Sequence, residues 1–109
     1  MINTALHAIT EPRRREILSL IRNGELTSGE IASHFDITPP AVTQHLKVLE
    51  KAGLVVLRRD GTRRFYAIRR EGFSELRDYI DSYWNESLLR LKEAAEEEER
   101  RKHESRKKQ

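Results

Sequence analysis

The sequence predicts a mainly α-helical fold with one two-stranded β hairpin, in the order ααααββα. Apolar residues recur at helical spacing in five separate segments, and one pair of short β-prone runs flanks Asp60-Gly61. The last helical segment is the longest of the five. We therefore expect four short helices, a hairpin and a long carboxy-terminal helix.

The composition limits the function classes. The chain has 109 residues, of which 36% are charged, and it contains no cysteine. This excludes a disulfide framework, thiol redox sensing and thiolate metal ligands. The amino terminus lacks the features of a signal peptide, and no apolar stretch approaches the roughly 18 residues that span a bilayer. We expect a soluble, cytoplasmic protein with no membrane partner.

Positive charge is concentrated in one part of the chain. Residues 1–70 contain 12 lysines and arginines against 7 acidic residues, whereas residues 71–109 contain 9 against 11. Neutralising nucleic-acid phosphates requires such a basic excess. Many proteins that bind no nucleic acid carry similar charge, so the motifs have to decide.

The first two helices are short. Ile2, Leu6 and Ile9 share one face of the first helix, and Pro12 suits the first turn of the second. Gly24 is expected to end the second helix.

Three consecutive arginines, Arg13, Arg14 and Arg15, occupy the first turn of the second helix, where they oppose the helix dipole. Either a phosphate or carboxylate lies nearby, or the arginines are solvated beside Glu11 and Glu16. The sequence leaves both explanations open.

Two more helices follow in close succession. Residues 27–30, Thr-Ser-Gly-Glu, have the spacing of a capping box and begin the first of them. After a short turn, Thr38 caps the next helix. Pro39 and Pro40 fill its first turn, where no amide hydrogen is needed. Gly53 is expected to end this helix.

The second of these helices has an apolar face, between Val42 and Leu49, and a polar face near its amino end. Gln44 can pair bidentately with adenine, Thr43 can contact a base edge or a thymine methyl group, and Lys47 can reach a phosphate. Each of these polar residues, taken alone, is equally consistent with a solvated helix face that binds nothing. The turn, the double proline and the hairpin together favour DNA contact, by Thr38, Pro39, Pro40, Thr43, Gln44 and Lys47.

The hairpin is rich in arginine. Arg58 and Arg59 precede Asp60-Gly61, and Arg63 and Arg64 follow it. Asp-Gly between two β-prone runs predicts a type I′ turn, with positive φ at both central residues. Guanidinium groups at a hairpin tip suit phosphate contact or insertion into the minor groove, although arginines also protect strand edges from pairing.

Two aromatic residues follow these arginines. We expect Tyr66 to offer its phenol to the DNA backbone and Phe65 to pack inward. The predicted hairpin contacts with DNA are therefore Arg58, Arg59, Arg63, Arg64 and Tyr66.

The last helix is expected from Glu71 to about Arg101. Its apolar stripe, which includes Tyr83 and Trp84, is too apolar to stay exposed on a small monomer and predicts a homodimer. Beyond Leu91 the stripe stops, and we expect i,i+4 charge pairs of Glu96 with Arg100, Glu97 with Arg101 and Glu98 with Lys102. We divide the chain into a domain of residues 1–92 and a charged tail of residues 93–109. The tail is expected to be helical and then disordered at Lys107, Lys108 and Gln109.

Several segments together resemble one family. They are ELTSGEIA at 25–32, PPAVTQHLKVL at 39–49, AGLV at 52–55 and RRDGTRRFY at 58–66, with AITEPRRREIL at 8–18 as a further match. The chain resembles the ArsR family of winged helix-turn-helix transcriptional repressors over about residues 5 to 90. The resemblance is closest to the metal-independent, autorepressor-like branch.

The resemblance implies a homodimer that binds an imperfect inverted repeat in double-stranded DNA and blocks transcription. Its two recognition helices would lie about 34–36 Å apart, one turn of DNA. Family dimers pair through the first and last helices. The corresponding residues here are Ile2, Leu6, Ile9, Phe73, Leu76, Ile80, Tyr83, Trp84, Leu88 and Leu91.

Metal-sensing members of the family carry a C-x-C pair at positions that hold Thr27 and Gly29 here. Another class uses aspartate and histidine on the last helix, which here offers Asp78 and Asp81 but no histidine before His103. We therefore expect no metal and no cofactor.

A histidine at position 45 lies beside the apolar face of its helix. We expect His45 to be a structural hydrogen-bonding residue rather than a metal ligand or a base reader.

A winged-helix module that binds another protein is the alternative function. The sequence has no glycine-rich phosphate loop and no nucleophile–base constellation, so we predict that it is not an enzyme. A small-molecule or protein effector, if one exists, is not identified by the sequence.

Overall fold

The computed structural model describes the backbone of residues 2–107 and the side chains of residues 2–105. The predicted order of elements is confirmed, with the addition of one very short strand. The elements are α1 (Ile2–Ala8), α2 (Pro12–Leu20), β1 (Leu26–Thr27), α3 (Ser28–Ala32), α4 (Pro39–Lys51), β2 (Val55–Asp60), β3 (Arg63–Ile68) and α5 (Arg70–Lys107).

The additional strand, β1, is too short to show an alternating sequence pattern. Leu26 pairs with Tyr66 and Thr27 with Phe65, so β1 lies antiparallel to β3. The sheet has the order β1-β3-β2. As a result, the segment that enters α3 is joined directly to the hairpin.

Contacts within the chain divide it into two units, Met1–Leu76 and Arg77–Gln109. The first unit has one hydrophobic core, to which all five helices and the sheet contribute. Burying one large aliphatic side chain contributes roughly 1.5–3 kcal/mol. The buried apolar residues are Ala5, Ala8, Ile17, Leu18, Ile21, Ile31, Val42, Leu46, Leu49, Leu54, Val55, Tyr66 and Leu76.

Helix α4 ends where the sequence predicted, in a Schellman motif. The amide of Leu54 donates to the carbonyl of Leu49 and the amide of Gly53 to that of Glu50, both at 3.0 Å. Gly53 has a φ of 74°, the left-handed conformation that this motif requires. The amide of Arg69 then donates to the Leu54 carbonyl at 2.9 Å, which joins the end of the hairpin to the end of α4.

The hairpin loop differs from the predicted turn. Asp60 pairs with Arg63, so the two loop residues are Gly61 and Thr62. Gly61 has a φ of 62°. Between residues 2 and 107 only glycines have a positive φ, so the φ of Thr62 is negative. A type I′ turn needs positive φ at both central residues, whereas type II′ needs it only at the first, where glycine is preferred. The type I′ prediction is therefore wrong.

The predicted dimer stripe divides between two environments. Leu76 is only 4% exposed and belongs to the core of the first unit, against which Phe73 also packs. Leu76 was predicted as an interface residue, and this is corrected because its side chain completes that core. Ile2, Leu6 and Ile9 are half-buried against the same core.

The second unit is the exposed continuation of α5. Its exposed apolar side chains are Ile80, Tyr83, Trp84, Leu88, Leu89 and Leu91. Leu89 was not part of the predicted stripe. The predicted boundary between residues 92 and 93 falls inside this unit and stays a prediction.

The charged end of α5 is helical through Lys107, beyond the predicted end near Arg101. The predicted i,i+4 pairs of Arg101 with Glu97 and of Lys102 with Glu98 form at 3.8 and 3.9 Å. Arg100 pairs with Glu97 at 2.8 Å instead of with Glu96. Lys107 was expected to be disordered and is helical, whereas residues 108 and 109 lie outside the described part of the chain.

Candidate nucleic-acid interface

The amino end of α4 is built by its cap and two prolines. The Thr38 hydroxyl accepts a hydrogen bond from the amide of Ala41 at 3.3 Å. Pro39 and Pro40 occupy the first two helical positions, where a missing amide hydrogen has no cost. Thr38, Pro39 and Pro40 are all exposed, as an interface requires.

The two predicted faces of α4 are confirmed. Val42, Leu46 and Leu49 are at most 1% exposed and pack in the core. On the opposite face, Gln44 and Lys47 are exposed. An open groove runs along this side of the helix and is lined by Pro39, Pro40, Thr43, Gln44 and Lys47.

Thr43 is half-buried, and its hydroxyl donates to the carbonyl of Pro39 at 3.1 Å. The hydroxyl hydrogen is therefore occupied within the helix. What Thr43 offers to a base is its methyl group and the acceptor capacity of its oxygen. Gln44, which has both an amide donor and an amide acceptor, is consequently the stronger candidate for bidentate pairing with a base.

The hairpin of β2 and β3, called the wing below, presents its arginines on two faces. Arg59 lies opposite Arg64, and Arg58 lies opposite Phe65. Directly opposed residues of an antiparallel pair share a face, and neighbours along a strand alternate. Arg59 and Arg64 therefore project on the same face, whereas Arg58 lies on the other.

Arg58 is engaged by other side chains of the domain. Its Nη2 donates to Glu25 Oε1 at 2.5 Å and its Nε to Glu25 Oε2 at 3.2 Å. Its guanidinium also lies over the Phe65 ring, 4.3 Å from the ring centre. The Arg63 guanidinium approaches the same ring at 5.1 Å. The same contact with DNA was predicted for all four wing arginines, but their surroundings differ.

The two aromatic residues of β3 point in directions opposite to those predicted. Tyr66 is 2% exposed and lies in the core, so its predicted contact with DNA is corrected. Phe65 is half-exposed beneath two arginines. The physical reason is register: Tyr66 pairs with Leu26 and Leu57, which places it on the core side of the sheet. Because Phe65 and Tyr66 are both aromatic, their hydrophobicity did not indicate which of the two faces the core.

A buried arginine joins α2 to α4. Arg14 is 9% exposed, and its Nε donates to the Ala8 carbonyl at 2.6 Å. Its Nη1 lies 3.4 Å from Nδ1 of His45, and Glu11 Oε2 lies 3.9 Å from the same nitrogen. The prediction that His45 is a structural hydrogen-bonding residue is confirmed.

Neither explanation offered for the three arginines was complete. Arg14 points inward, and Arg15 Nη1 donates to the Ile9 carbonyl at 2.8 Å. Arg13 is exposed. The unfavourable cluster at the start of the helix was a usable signal, because two of its three arginines donate hydrogen bonds to carbonyls at the end of α1.

Thr27, at one of the two positions where metal sensors carry cysteine, has a structural role. The Thr27 hydroxyl accepts from the amide of Glu30 at 3.1 Å, and the Glu30 carboxylate accepts from the amide of Thr27 at 3.0 Å. These bonds form the predicted capping box. The Glu30 carboxylate also accepts from the Thr27 hydroxyl at 2.9 Å, and the bonds that it accepts from the Thr27 amide and hydroxyl lower the pKa of the Glu30 carboxyl. Between residues 2 and 105, no three His, Asp or Glu side chains lie close enough together to hold a metal ion.

These features define a winged helix-turn-helix DNA-binding protein: α3, a short turn and α4 precede a basic hairpin. Within the described part of the chain, no helix has the length and apolar character needed to cross a membrane.

Comparison with known proteins identifies the family. The profile of the ArsR family of bacterial regulatory proteins matches residues 11–56. The HTH-type transcriptional regulator Rv2034 of Mycobacterium tuberculosis is 40% identical over 84 residues, which cover 77% of this chain and 78% of that protein. The transcriptional repressor SdpR of Bacillus subtilis is 37% identical over 67 residues, which cover 62% of this chain and 74% of that protein.

The fold is also similar to that of a solved relative. The solution structure of the homodimeric winged helix-turn-helix DNA-binding domain Mb0332 from Mycobacterium bovis has a TM-score of 0.63 and is 29% identical. The match covers 78% of this chain and 79% of that one. The chain belongs to the ArsR family, and it is a DNA-binding transcriptional regulator rather than an enzyme.

Proposed function

We propose that the protein is a homodimeric repressor that binds an inverted-repeat operator and needs no metal to do so. In this proposal α4 reads bases in the major groove, and the wing contacts phosphates or the minor groove beside it. The protein acts in the cytoplasm, where the chromosome lies. The observation that carries the proposal is the exposed polar face of α4, in which Gln44 lines an open groove above a fully buried apolar face.

The amino end of α4 supports base reading because recognition helices meet base edges with their first residues. Pro39 and Pro40 give this end a compact apolar surface without amide donors. Gln44 and Lys47 follow one turn later on the same side. Gln44 would recognise adenine, and Lys47 would contact a phosphate.

The wing supports a backbone contact because Arg59 and Arg64 lie opposite each other on one face, and both are exposed. Two adjacent guanidinium groups suit two neighbouring phosphates or a narrow minor groove. Each phosphate neutralised adds about 0.9 to the slope of log affinity against log salt.

The exposed apolar residues of α5 support a homodimer. Trp84 is 61% exposed and is accompanied by Ile80, Tyr83, Leu88 and Leu91. Monomers seldom leave an apolar patch of this kind uncovered. The similar domain Mb0332 is homodimeric. A two-fold dimer would bind two half-sites about 34–36 Å apart.

Two observations support repression without metal. SdpR, a relative, is a transcriptional repressor. The Thr27 hydroxyl, at a position where metal sensors carry a thiolate, is hydrogen-bonded to Glu30 and to the start of α3.

A fluorescence-anisotropy titration tests the proposal. The full-length protein is titrated against an inverted-repeat duplex from the region upstream of its own gene and against a shuffled duplex. Wild type should prefer the first. Gln44→Ala should lose about 1–3 kcal/mol of this discrimination with little change in salt slope. Asn23→Ala, an exposed neutral change outside α4, is the matched control and should leave the preference intact.

Two results would overturn the proposal: equal affinity for both duplexes, or a Gln44→Ala variant with undiminished discrimination. Equal affinity across many genomic duplexes, combined with an intact dimer, would favour the alternative of a protein-binding winged helix.

A further inference from the structure

The geometry points to Arg58 as a positioning residue: Glu25 clamps its guanidinium over Phe65, which fixes the wing on the domain and removes Arg58 from phosphate contact. We call these three residues the wing clamp. This inference rests on the proposed function in one respect, that the wing contacts DNA. It assigns a different role to one of the four wing arginines.

The contacts within the clamp engage one edge and one side of the guanidinium, while the Arg58 side chain as a whole stays 53% exposed. Nε and Nη2 of Arg58 both donate to the Glu25 carboxylate, one to each oxygen. One face of the guanidinium plane lies on the Phe65 ring, 4.3 Å from its centre. A two-point hydrogen bond combined with stacking fixes both the position and the orientation of the group.

The clamp spans the sheet. Arg58 lies on β2, Phe65 on the central strand β3, and Glu25 directly before β1. The hairpin pairs with only two residues of β1, Leu26 and Thr27. Few backbone hydrogen bonds therefore join the hairpin to the β1 segment. The Arg58–Glu25 bond adds a connection across all three strands, between positions separated by 33 residues.

The charges of the clamp also distinguish it from a phosphate contact. The hydrogen bond from Arg58 lowers the pKa of the Glu25 carboxyl, so Glu25 stays ionised beside it. A phosphate that approached Arg58 would be repelled by this carboxylate, which already holds Nε and Nη2. Arg59 and Arg64 lie on the opposite face of the wing, so Glu25 does not compete with a phosphate for them.

Replacement by lysine distinguishes a clamping role of Arg58 from a phosphate-contacting role. Lysine keeps the positive charge that a phosphate needs, but it has neither the planar fork for a two-point bond nor a plane to stack on a ring. A phosphate-contacting arginine therefore tolerates Arg→Lys much better than Arg→Ala. A clamping arginine tolerates neither change.

The experiment measures operator affinity and its salt dependence for Arg58→Lys, Arg58→Ala and Glu25→Ala, with Arg59→Lys and Arg59→Ala as the matched pair. Arg58→Lys and Arg58→Ala should both weaken binding about tenfold, the cost of ordering roughly one more residue on binding. Their salt slopes should equal that of wild type. Arg59→Ala should lower the slope by about 0.9, and Arg59→Lys should retain it.

Glu25→Ala distinguishes clamping from masking. If Glu25 positions Arg58, its removal weakens operator binding, and the double variant with Arg58→Ala is no weaker than either single one. If Glu25 only masks a phosphate-binding arginine, its removal strengthens binding and raises the slope by about 0.9. That second result, or wild-type affinity in Arg58→Lys, would overturn the inference.

A measurement without DNA keeps the test independent of the proposed function. Amide hydrogen exchange of β2 and β3 in the free protein should accelerate at least about threefold in Arg58→Lys and Glu25→Ala, but not in Arg59→Lys. If the wild type shows no operator preference but these amides accelerate, the proposed function fails and the clamp stands. Unchanged exchange in both clamp variants would overturn the clamp itself.

Discussion

The guanidinium of Arg14 lies 3.4 Å from Nδ1 of His45, and this contact joins α2 to the helix that we assign to base reading. A guanidinium can only donate hydrogen bonds, so this contact is a hydrogen bond in the tautomer of His45 whose Nδ1 accepts. The same arginine donates from Nε to the carbonyl of Ala8 at the end of α1. One buried side chain thus connects three helices.

Replacing Arg14 by alanine should lower the free energy of unfolding by about 1–3 kcal/mol, because the buried Ala8 carbonyl loses its partner. Urea denaturation followed by circular dichroism measures the change. Arg13→Ala, an exposed neighbour of the same type, is the control and should stay within about 0.5 kcal/mol of wild type. Equal effects of the two replacements would show that the connection contributes nothing.

Gly72→Ala should destabilise the fold by about 1–3 kcal/mol through overpacking. A Cβ atom at position 72 would lie only 2.0 Å from the carbonyl oxygen of Gly53, which belongs to the rigid Schellman motif. The start of α5 would have to move away from the end of α4. Gly24→Ala is the matched control, since a Cβ at that position has no neighbour within 4 Å. Thermal unfolding of both variants decides, and a Gly72→Ala protein as stable as the control would contradict the close approach.

Trp84→Glu should convert the proposed dimer to a monomer, because it places a charge in the middle of the exposed apolar stripe of α5. Sedimentation velocity at micromolar concentration measures the state of association, and operator affinity should fall with it. Ser82→Glu introduces the same charge on the opposite side of the helix and should leave the dimer intact. A Trp84→Glu variant that sediments like wild type would place the interface elsewhere.

Acidification should remove the stabilisation that the capping box provides. Hydrogen bonds from Thr27 lower the pKa of Glu30 in the folded protein. A lowered folded-state pKa gives stability that is complete above the unfolded pKa, about 4.3, and is lost as the pH falls through the folded value. The stability difference between wild type and Glu30→Gln should therefore be largest near pH 7 and shrink below about pH 4. Urea denaturation at several pH values measures it, and a difference that does not vary with pH would refute this linkage.

Local signals in the sequence determined most of the architecture. Helical periodicity predicted α2, α4 and α5, and the Thr27 and Thr38 caps predicted where α3 and α4 begin. Gly53 predicted the end of α4. These signals succeed because caps and terminal glycines act on backbone groups within a few residues of themselves. The polar face of α4 was predictable for the same reason, since helix geometry alone separates Gln44 from Leu46.

Only the tertiary structure decided which way several ambiguous side chains point. Tyr66 is buried and Phe65 is not, because register with Leu26 and Leu57 sets the phase of β3. Leu76 belongs to the core, although the sequence places it in the same stripe as Trp84.

The arginines show the same limit most clearly. The partners of Arg14 and Arg58 stand 31 and 33 residues away in the chain, at His45 and Glu25. Such pairings depend on how the helices and strands pack, and no local pattern encodes them. The sequence by itself therefore determined the elements and the polar face of α4 that we propose reads DNA, whereas packing decided the surroundings of each arginine.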